Sequence, residues 1–218
     1  INLLGNKLHA KELMKKEGIP VIPGSLSSIK SLKDATKLAD EIGYPVMVKA
    51  SAGGGGKGIR IVKSKEELQK VYNIVKQEAK NAFNDDELYI EKFIENPRHI
   101  EIQILADENG NIVHLGERDC TIQRNHQKVL EETPSSIMNE KLRTKMGQVA
   151  IKVAKIAGYT NCGTVEFLVD KDKNFYFMEM NTRIQVEHPI TEVNTGIDLV
   201  KEQIRISNGE SLALQEIK

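Results

Sequence analysis

A run of glycines set between two apolar segments constrains this chain more than any other feature. Tyr44-Pro45-Val46-Met47-Val48-Lys49-Ala50 leads into Ser51-Ala52-Gly53-Gly54-Gly55-Gly56-Lys57-Gly58, and Ile59-Arg60-Ile61-Val62 follows. A Walker loop requires Gly-Lys-Ser/Thr opening a helix, whereas Gly56-Lys57 is followed by another glycine and a strand. A dinucleotide fingerprint also needs a helix at that point. A glycine-rich hairpin between two strands remains. Its amides, free of side chains, suit an anion-binding nest over phosphate oxygens, and such a loop can close as a lid. The plain alternative is a surface turn. Four consecutive glycines exceed what a turn needs, at about 0.5–1 kcal/mol each relative to alanine. Lys49, at the end of the strand feeding the loop, then reads as a phosphate contact rather than an ordinary exposed lysine.

Around this hairpin, helical periodicity is expected over residues 6–17 with Gly18 as terminator, and over 32–42 with Ser31 and Asp34 as a capping-box variant. Further helices are expected from Ser64, paired with Glu67, to about 82, over 140–157, and over 198–207. Strand patterns occupy 88–94, 99–106, 112–117, 164–170 and 175–180. Strands joined by short turns imply mostly antiparallel sheets, so the fold class is α+β rather than doubly wound.

Composition excludes more than it proposes. The 31 basic and 31 acidic residues balance, with no polybasic block to suggest nucleic acid. No apolar run approaches the roughly 18–20 residues of a membrane helix, and no signal-peptide pattern leads the chain. Cys120 and Cys162 have neither metal nor redox spacing and read as reduced thiols of a cytoplasmic protein. The chain starts at Ile1 rather than Met, and its last helix runs into Lys218 without a closing element, which reads as a segment of a larger protein.

The hairpin at 164–181 allows the sharpest derivation. With Val169 paired to Tyr176, Leu168 faces Phe177, Glu166 faces Glu179 and Thr164 faces Asn181, and the six residues of these last three pairs share one face. Two carboxylates directly opposite, with Cβ atoms roughly 5 Å apart, repel each other. A cation between them offsets the repulsion, and Asn181 adds a neutral oxygen. An all-oxygen set suits Mg²⁺ or Mn²⁺. A register off by one, a protonated glutamate or an arginine partner would remove that need.

The same strand runs into Asn181-Thr182-Arg183-Ile184-Gln185-Val186-Glu187-His188-Pro189, a loop dense in chemistry that points to charged substrates. In Gln123-Arg124-Asn125-His126-Gln127-Lys128, an extended backbone would put Arg124, His126 and Lys128 on one side, as either an anion-facing strand or a solvated edge. His99 and Glu101 alternate with apolar residues, and a lone strand histidine is more often structural than functional.

Several strings occur together in order: the glycine loop from Lys49, Glu91-Lys92-Phe93-Ile94, Asn96-Pro97-Arg98-His99-Ile100-Glu101-Ile102-Gln103, Glu117-Arg118-Asp119-Cys120, His126-Gln127-Lys128, and Glu179 through Pro189. Together they resemble the biotin carboxylase component of biotin-dependent carboxylases, which has the ATP-grasp fold, over essentially the whole chain. The resemblance implies ATP contacts from Lys7, Lys49, Gly55, Gly56, Glu91, Lys92, Phe93, Ile94, His99 and His126. It implies two Mg²⁺ or Mn²⁺ ions on Glu166, Glu179 and Asn181. Bicarbonate contacts fall to Lys128, Arg183 and Val186, the last through its backbone, and Glu187 is the general base with Arg183 beside it in the active site. Residues 1–20 form an entry helix, 21–93 a lid subdomain and 94–218 the metal- and bicarbonate-binding subdomain of an ATP-grasp domain over 1–218. Gly5-Asn6-Lys7 departs from the family's Gly-Asp-Lys, and the loop near 25–33 differs by one residue. The family's N-terminal α/β domain and the C-terminal portion carrying a biotin-binding arginine are not in this sequence.

The implied reaction is ATP-driven activation of bicarbonate through carboxyphosphate, carboxylating biotin on a carboxyl carrier domain or protein. A carboxyltransferase component, a second copy in the parent protein and a role in fatty acid biosynthesis are further expectations, in the cytoplasm or, in a eukaryote, the mitochondrial matrix. No nucleic acid or membrane partner is expected. Two readings compete. A carbamoyl-phosphate synthase half is opposed by the Arg183–Glu187 loop and by His126-Gln127-Lys128. The other is a nucleotide-binding module that is inactive as an isolated segment.

Overall fold

The computed structural model describes residues 7–50, 58–125 and 127–212, and side chains for these except 7–9 and 83. In chain order the elements are α1 (Lys7–Lys16), α2 (Leu32–Ile42), β1 (Val46–Ala50), β2 (Ile59–Val62), α3 (Lys65–Phe83), β3 (Leu88–Lys92), β4 (Arg98–Ala106) and β5 (Ile112–Arg124). They continue with β6 (Gln127–Glu132), α4 (Glu140–Ile156), β7 (Asn161–Val169), β8 (Phe175–Asn181), α5 (His188–Thr195) and α6 (Leu199–Ser207). The chain divides into two compact units, residues 22–95 and residues 1–21 with 96–218. No helix among the described residues is long and apolar enough to cross a membrane.

The smaller unit is a three-stranded antiparallel sheet, β2-β1-β3, with α2 and α3. Period-two alternation buries Val46, Val48, Ala50, Leu88 and Ile90 with Ala35, Ala39, Leu68 and Val75 of the helices. The expected caps form: Ser31 accepts from Asp34 N–H, and Ser64 from Glu67 N–H. Gly24 bridges to Glu91, and a Cβ on Gly24 would lie 2.6 Å from Ile90 O, so the close backbone approach requires glycine.

The larger unit is a five-stranded antiparallel sheet in the order β6-β5-β4-β7-β8. On one face Ile100, Ile102, Ile104, Val165, Phe167 and Phe177 pack with Met14 of α1 and with Met146, Ala150 and Val153 of α4. Burying such side chains fully is worth roughly 1.5–3 kcal/mol each. Central β4 is buried on both faces, which ordinarily demands a continuous apolar run. Here His99, Glu101 and Gln103 alternate with the isoleucines instead, so the second face must pair its polar groups internally.

Three sequence expectations are corrected. The 164–181 register holds at Thr164↔Asn181 and Glu166↔Glu179 but shifts beyond, so that Phe167 pairs with Phe177 and Leu168 with Tyr176. A bulge at Met178 is the cause. It lets Phe177 enter the apolar core while Glu179 keeps the polar face, a conflict that strict alternation could not resolve. Second, β5 runs to Arg124 rather than ending at 117, because a bulge at Leu115-Gly116, with Gly116 at φ +83°, carries the strand on into polar residues paired with β4. Third, Arg124 and Lys128 do not lie on one extended strand. Asn125, at φ +51°, turns the chain, pairing Arg124 with Gln127 and Gln123 with Lys128. Cross-strand partners share a face, so Lys128 faces the same side as Gln123 and Arg124 the opposite one. Helix α5 has no clear counterpart in the sequence pattern, because its β-branched Ile190, Thr191, Val193 and Thr195 lower the helical signal despite Pro189 at the start and Gly196 at the end.

On β5, Glu117 accepts from Arg143 Nε (2.8 Å) and Nη2 (2.9 Å) and from Ser135 N–H (3.2 Å). Burial alone would push its carboxyl up, but the bidentate Arg143 holds it below the usual range. A depressed folded pKa means that this contribution is complete above the unfolded value and is lost as pH falls through the folded one. Glu117→Gln therefore lowers urea stability by about 2 kcal/mol at pH 7. The deficit shrinks towards pH 3; an equal deficit at both pH values would exclude an ionised Glu117 as its source.

Candidate active site

The polar face of the larger sheet is organised by one ammonium. Lys128 Nζ, on β6, donates to Glu101 Oε2 (2.5 Å) on β4, to Glu166 Oε1 (3.0 Å) on β7 and to Glu187 Oε1 (2.5 Å) in the loop after β8. Its side chain is 17% exposed, so these contacts are poorly screened by water. Burial would lower the lysine's pKa, but Glu101, Glu187 and Glu166 more than offset this and raise it. Lys128 is cationic throughout the physiological range.

Of the three carboxylates around Lys128, Glu166 collects the most donors. Oε1 accepts from Lys128 and also from Asn181 Nδ2 (2.9 Å) and Gln185 Nε2 (2.9 Å), and His99 Nε2 lies 2.9 Å from Oε2. Burial works against its ionisation. The His99, Lys128 and Gln185 contacts outweigh it and hold the carboxyl at about 2. Gln123 Nε2, which donates to Cys120 O (2.8 Å), is 3.0 Å from His99 Nδ1. That makes Nδ1 the acceptor and assigns the ring proton to Nε2, which lies close to Glu166 Oε2 but is not aligned with it as a hydrogen bond. Burial likewise opposes ionisation of Glu187, and Lys128 together with Glu187's own backbone N–H lowers its pKa.

These groups line a cleft of about 730 Å³ that also includes Glu179, Arg183, the 92%-exposed Val186 and Met178. His99, Lys128, Glu166, Glu179, Asn181, Arg183, Val186 and Glu187 thus meet around one cavity. Arg183 is exposed, with Nη1 donating to Ile184 O (3.2 Å) and Nη2 to Asn181 Oδ1 (3.4 Å). Among the remaining predicted site residues, Lys49 forms an ion pair with Glu91 within the smaller unit. Lys92 Nζ donates to Gly43 O (2.9 Å) and Tyr44 O (3.0 Å), so its side chain serves the end of α2. The N–H groups of Lys92 and Phe93 are taken by Pro23 O and Pro45 O, so among these two and Ile94 only the Ile94 N–H has no such backbone partner among the described contacts. The side chain of Lys7, along with Gly55, Gly56 and His126, lies outside the described residues.

As oxygen donors, the ionised Glu166, the Glu179 paired with it and the Asn181 amide fit a hard divalent cation. Glu166 also has Lys128 as counter-ion, so the repulsion across the hairpin does not by itself demand a metal.

Glu101, Arg118, Thr164 and Gln185 also belong to this polar network, although the sequence reading, which names each of them, assigns none of them a site role. The available signal was parity: Glu101 and Gln103 alternate with isoleucines in a strand flanked on both sides, which leaves no solvent for them.

Two antiparallel-sheet units, with an ionised carboxylate face on the larger, define an ATP-binding domain of the ATP-grasp fold. The chain belongs to the family described as carbamoyl-phosphate synthase L chain, ATP binding domain, whose sequence model matches residues 6–215. It is 56% identical over 216 residues to a biotin carboxylase of Nostoc sp., covering 99% of this chain and 48% of that protein. It is also 54% identical over 217 residues to biotin carboxylase 1 of Bacillus subtilis, covering 99% and 48%. Among solved structures, it is similar to the biotin carboxylase domain of Hydrogenobacter thermophilus 2-oxoglutarate carboxylase, a dimer in complex with MgADP, ADP and bicarbonate. The TM-score is 0.83 at 52% identity, covering 99% of this chain and 48% of that one. The chain spans about half the length of the curated relatives it matches.

Proposed function

We propose that this chain is the ATP-grasp portion of a biotin carboxylase, which uses ATP and bicarbonate to carboxylate biotin on a carrier domain or protein. The observation that carries the reading is Glu187, ionised and held by Lys128 in a cleft that is also lined by the ionised Glu166. Lys128 and Arg183, with the backbone of Val186, bind the bicarbonate anion. Bicarbonate entering the cleft competes with Glu187 for Lys128 Nζ. A glutamate that loses this counter-ion is a stronger base, so binding itself prepares proton removal. Deprotonated bicarbonate attacks the γ-phosphorus of ATP, the bond from that phosphorus to the ADP oxygen breaks, and carboxyphosphate forms. Carboxyphosphate then breaks its carbon–oxygen bond to give CO₂ and phosphate, the phosphate takes the proton from the biotin N1′, and that nitrogen bonds to the CO₂ carbon.

Glu166, Glu179 and Asn181 would hold Mg²⁺ or Mn²⁺, two ions in the full site, which when bound supply positive charge to the phosphate oxygens. ATP contacts are assigned to Lys7, Lys49, Gly55, Gly56, Glu91, Lys92, Phe93, Ile94, His99 and His126. Residues 21–93 act as the lid subdomain and 94–218 as the metal- and bicarbonate-binding subdomain. A carboxyltransferase component and a second copy of the parent protein complete the assembly, in the cytoplasm or the mitochondrial matrix. The segment 1–218 alone turns over little.

The test is ATP hydrolysis by the full-length protein with and without bicarbonate, and with and without free biotin. Hydrolysis is expected to require bicarbonate and to rise with biotin. Bicarbonate-independent hydrolysis, or ammonia-dependent formation of carbamoyl phosphate, would refute the proposal.

A further inference from the structure

Arg118, on β5, has a wholly buried side chain in the middle of the polar face. Its Nε donates to Glu101 Oε1 (2.5 Å). Nη1 donates to Gln103 Oε1 (2.6 Å) and Thr191 Oγ1 (3.0 Å), and Nη2 to Thr164 Oγ1 (3.2 Å) and Gln185 Oε1 (3.4 Å). A guanidinium has five N–H donors, and each has one partner here. The partners lie on β4, β7, α5 and the loop between β8 and α5. A network so completely satisfied fixes geometry as well as neutralising charge.

Two of these contacts lead into the cleft. Glu101 uses Oε1 for Arg118 and Oε2 for Lys128, so the guanidinium sets where the Lys128 ammonium is held. Gln185 turns Oε1 to Arg118, which forces Nε2 towards Glu166 and pins the loop two residues before Glu187. Thr191 adds a third tie, to the helix that Glu187 caps.

We propose that Arg118 is the positioning residue of the anion pocket, fixing Lys128 through Glu101 and the Glu187 loop through Gln185 without touching substrate. The inference rests on the bicarbonate reading above. Lysine keeps the charge but offers three donors on a flexible stem in place of a planar fork. In the full-length protein, Arg118→Lys is expected to raise KM for bicarbonate about tenfold or more while KM for ATP stays within about twofold. A merely structural role would instead lower the active fraction and leave both KM values unchanged.

Because Arg118→Lys is a demanding substitution, Thr191→Val serves as the milder variant, removing one of the five ties at constant shape. It is expected to raise KM for bicarbonate about two- to fivefold, with KM for ATP unchanged and thermal unfolding still cooperative. An unchanged bicarbonate KM in Thr191→Val, or parallel shifts of both KM values in either variant, overturns the positioning role while leaving bicarbonate-dependent turnover of the wild type standing. A wild type with no bicarbonate-dependent turnover overturns both readings.

Discussion

Glu187→Gln is expected to reduce bicarbonate-dependent ATP hydrolysis by about 10²–10⁴-fold while leaving nucleotide affinity within about twofold. Glutamine keeps the shape and can still face Lys128, but it cannot take a proton. The change therefore isolates basicity from packing. On the proposed reading, Glu187 serves as the base because the partner that tethers it, Lys128, is one the bicarbonate anion can claim. Burial opposes ionisation of Glu187, but Lys128 holds its pKa below the usual carboxylate range, which keeps it deprotonated near neutral pH. Steady-state rates at saturating bicarbonate, together with nucleotide titration of the same variant, read the two quantities separately. Turnover within about threefold of wild type would exclude Glu187 as the base and transfer that role elsewhere in the cleft.

The second large effect is on stability. Lys128→Met removes the ammonium shared by Glu101, Glu166 and Glu187 and leaves three carboxylates around an apolar side chain. Removing one partner of a buried ionic cluster typically costs about 3–5 kcal/mol. At about 2–4 °C per kcal/mol for a chain of this size, Tm should fall by roughly 10 °C. The loss has a pH signature. In the wild type the raised lysine pKa means that its contribution is complete below the ordinary lysine value and is lost only as pH rises through the folded one. In the variant Glu101 keeps Arg118, whereas Glu166 and Glu187 lose their ammonium partner and are relieved by binding protons, so the gap to wild type narrows from pH 7.5 to about pH 5.5. A Tm gap that is the same at both pH values would argue that lost packing, rather than exposed charge repulsion, sets the effect.

Residues that carry their meaning locally are legible in the amino-acid order. Gly53 to Gly58 exclude helix-opening phosphate loops, and alternation places Glu166 opposite Glu179 and Thr164 opposite Asn181. The same alternation fails towards the hairpin turn. Phe177 and Glu179 have the same parity but opposite solvation needs, and a bulge at Met178 is how the chain satisfies both. That conflict is readable, although its solution depends on the core that Phe167 and Phe175 build around Phe177, at ring distances from Phe167 of 5.6 Å to Phe175 and 6.5 Å to Phe177.

The turn at Asn125 is less accessible. A charged run continues as a strand or folds back on itself according to what flanks it, and β5 pairs with both β4 and β6. Helix α5 is obscured because its β-branched residues weaken the local helical signal, while the contact that Thr191 makes with Arg118 is long-range.

By itself the sequence determined the α+β class and the pairing of Glu166 with Glu179 and of Thr164 with Asn181, because periodicity and side-chain chemistry act over a few residues. Only the tertiary structure decided that Lys128 joins Glu101, Glu166 and Glu187, and that Arg118 underlies them. Lys128 and Glu187 alone are separated by 59 positions along the chain. They meet because the strands assemble in the order β6-β5-β4-β7-β8, and strand order is set by which apolar faces bury together, not by the pattern within any one strand.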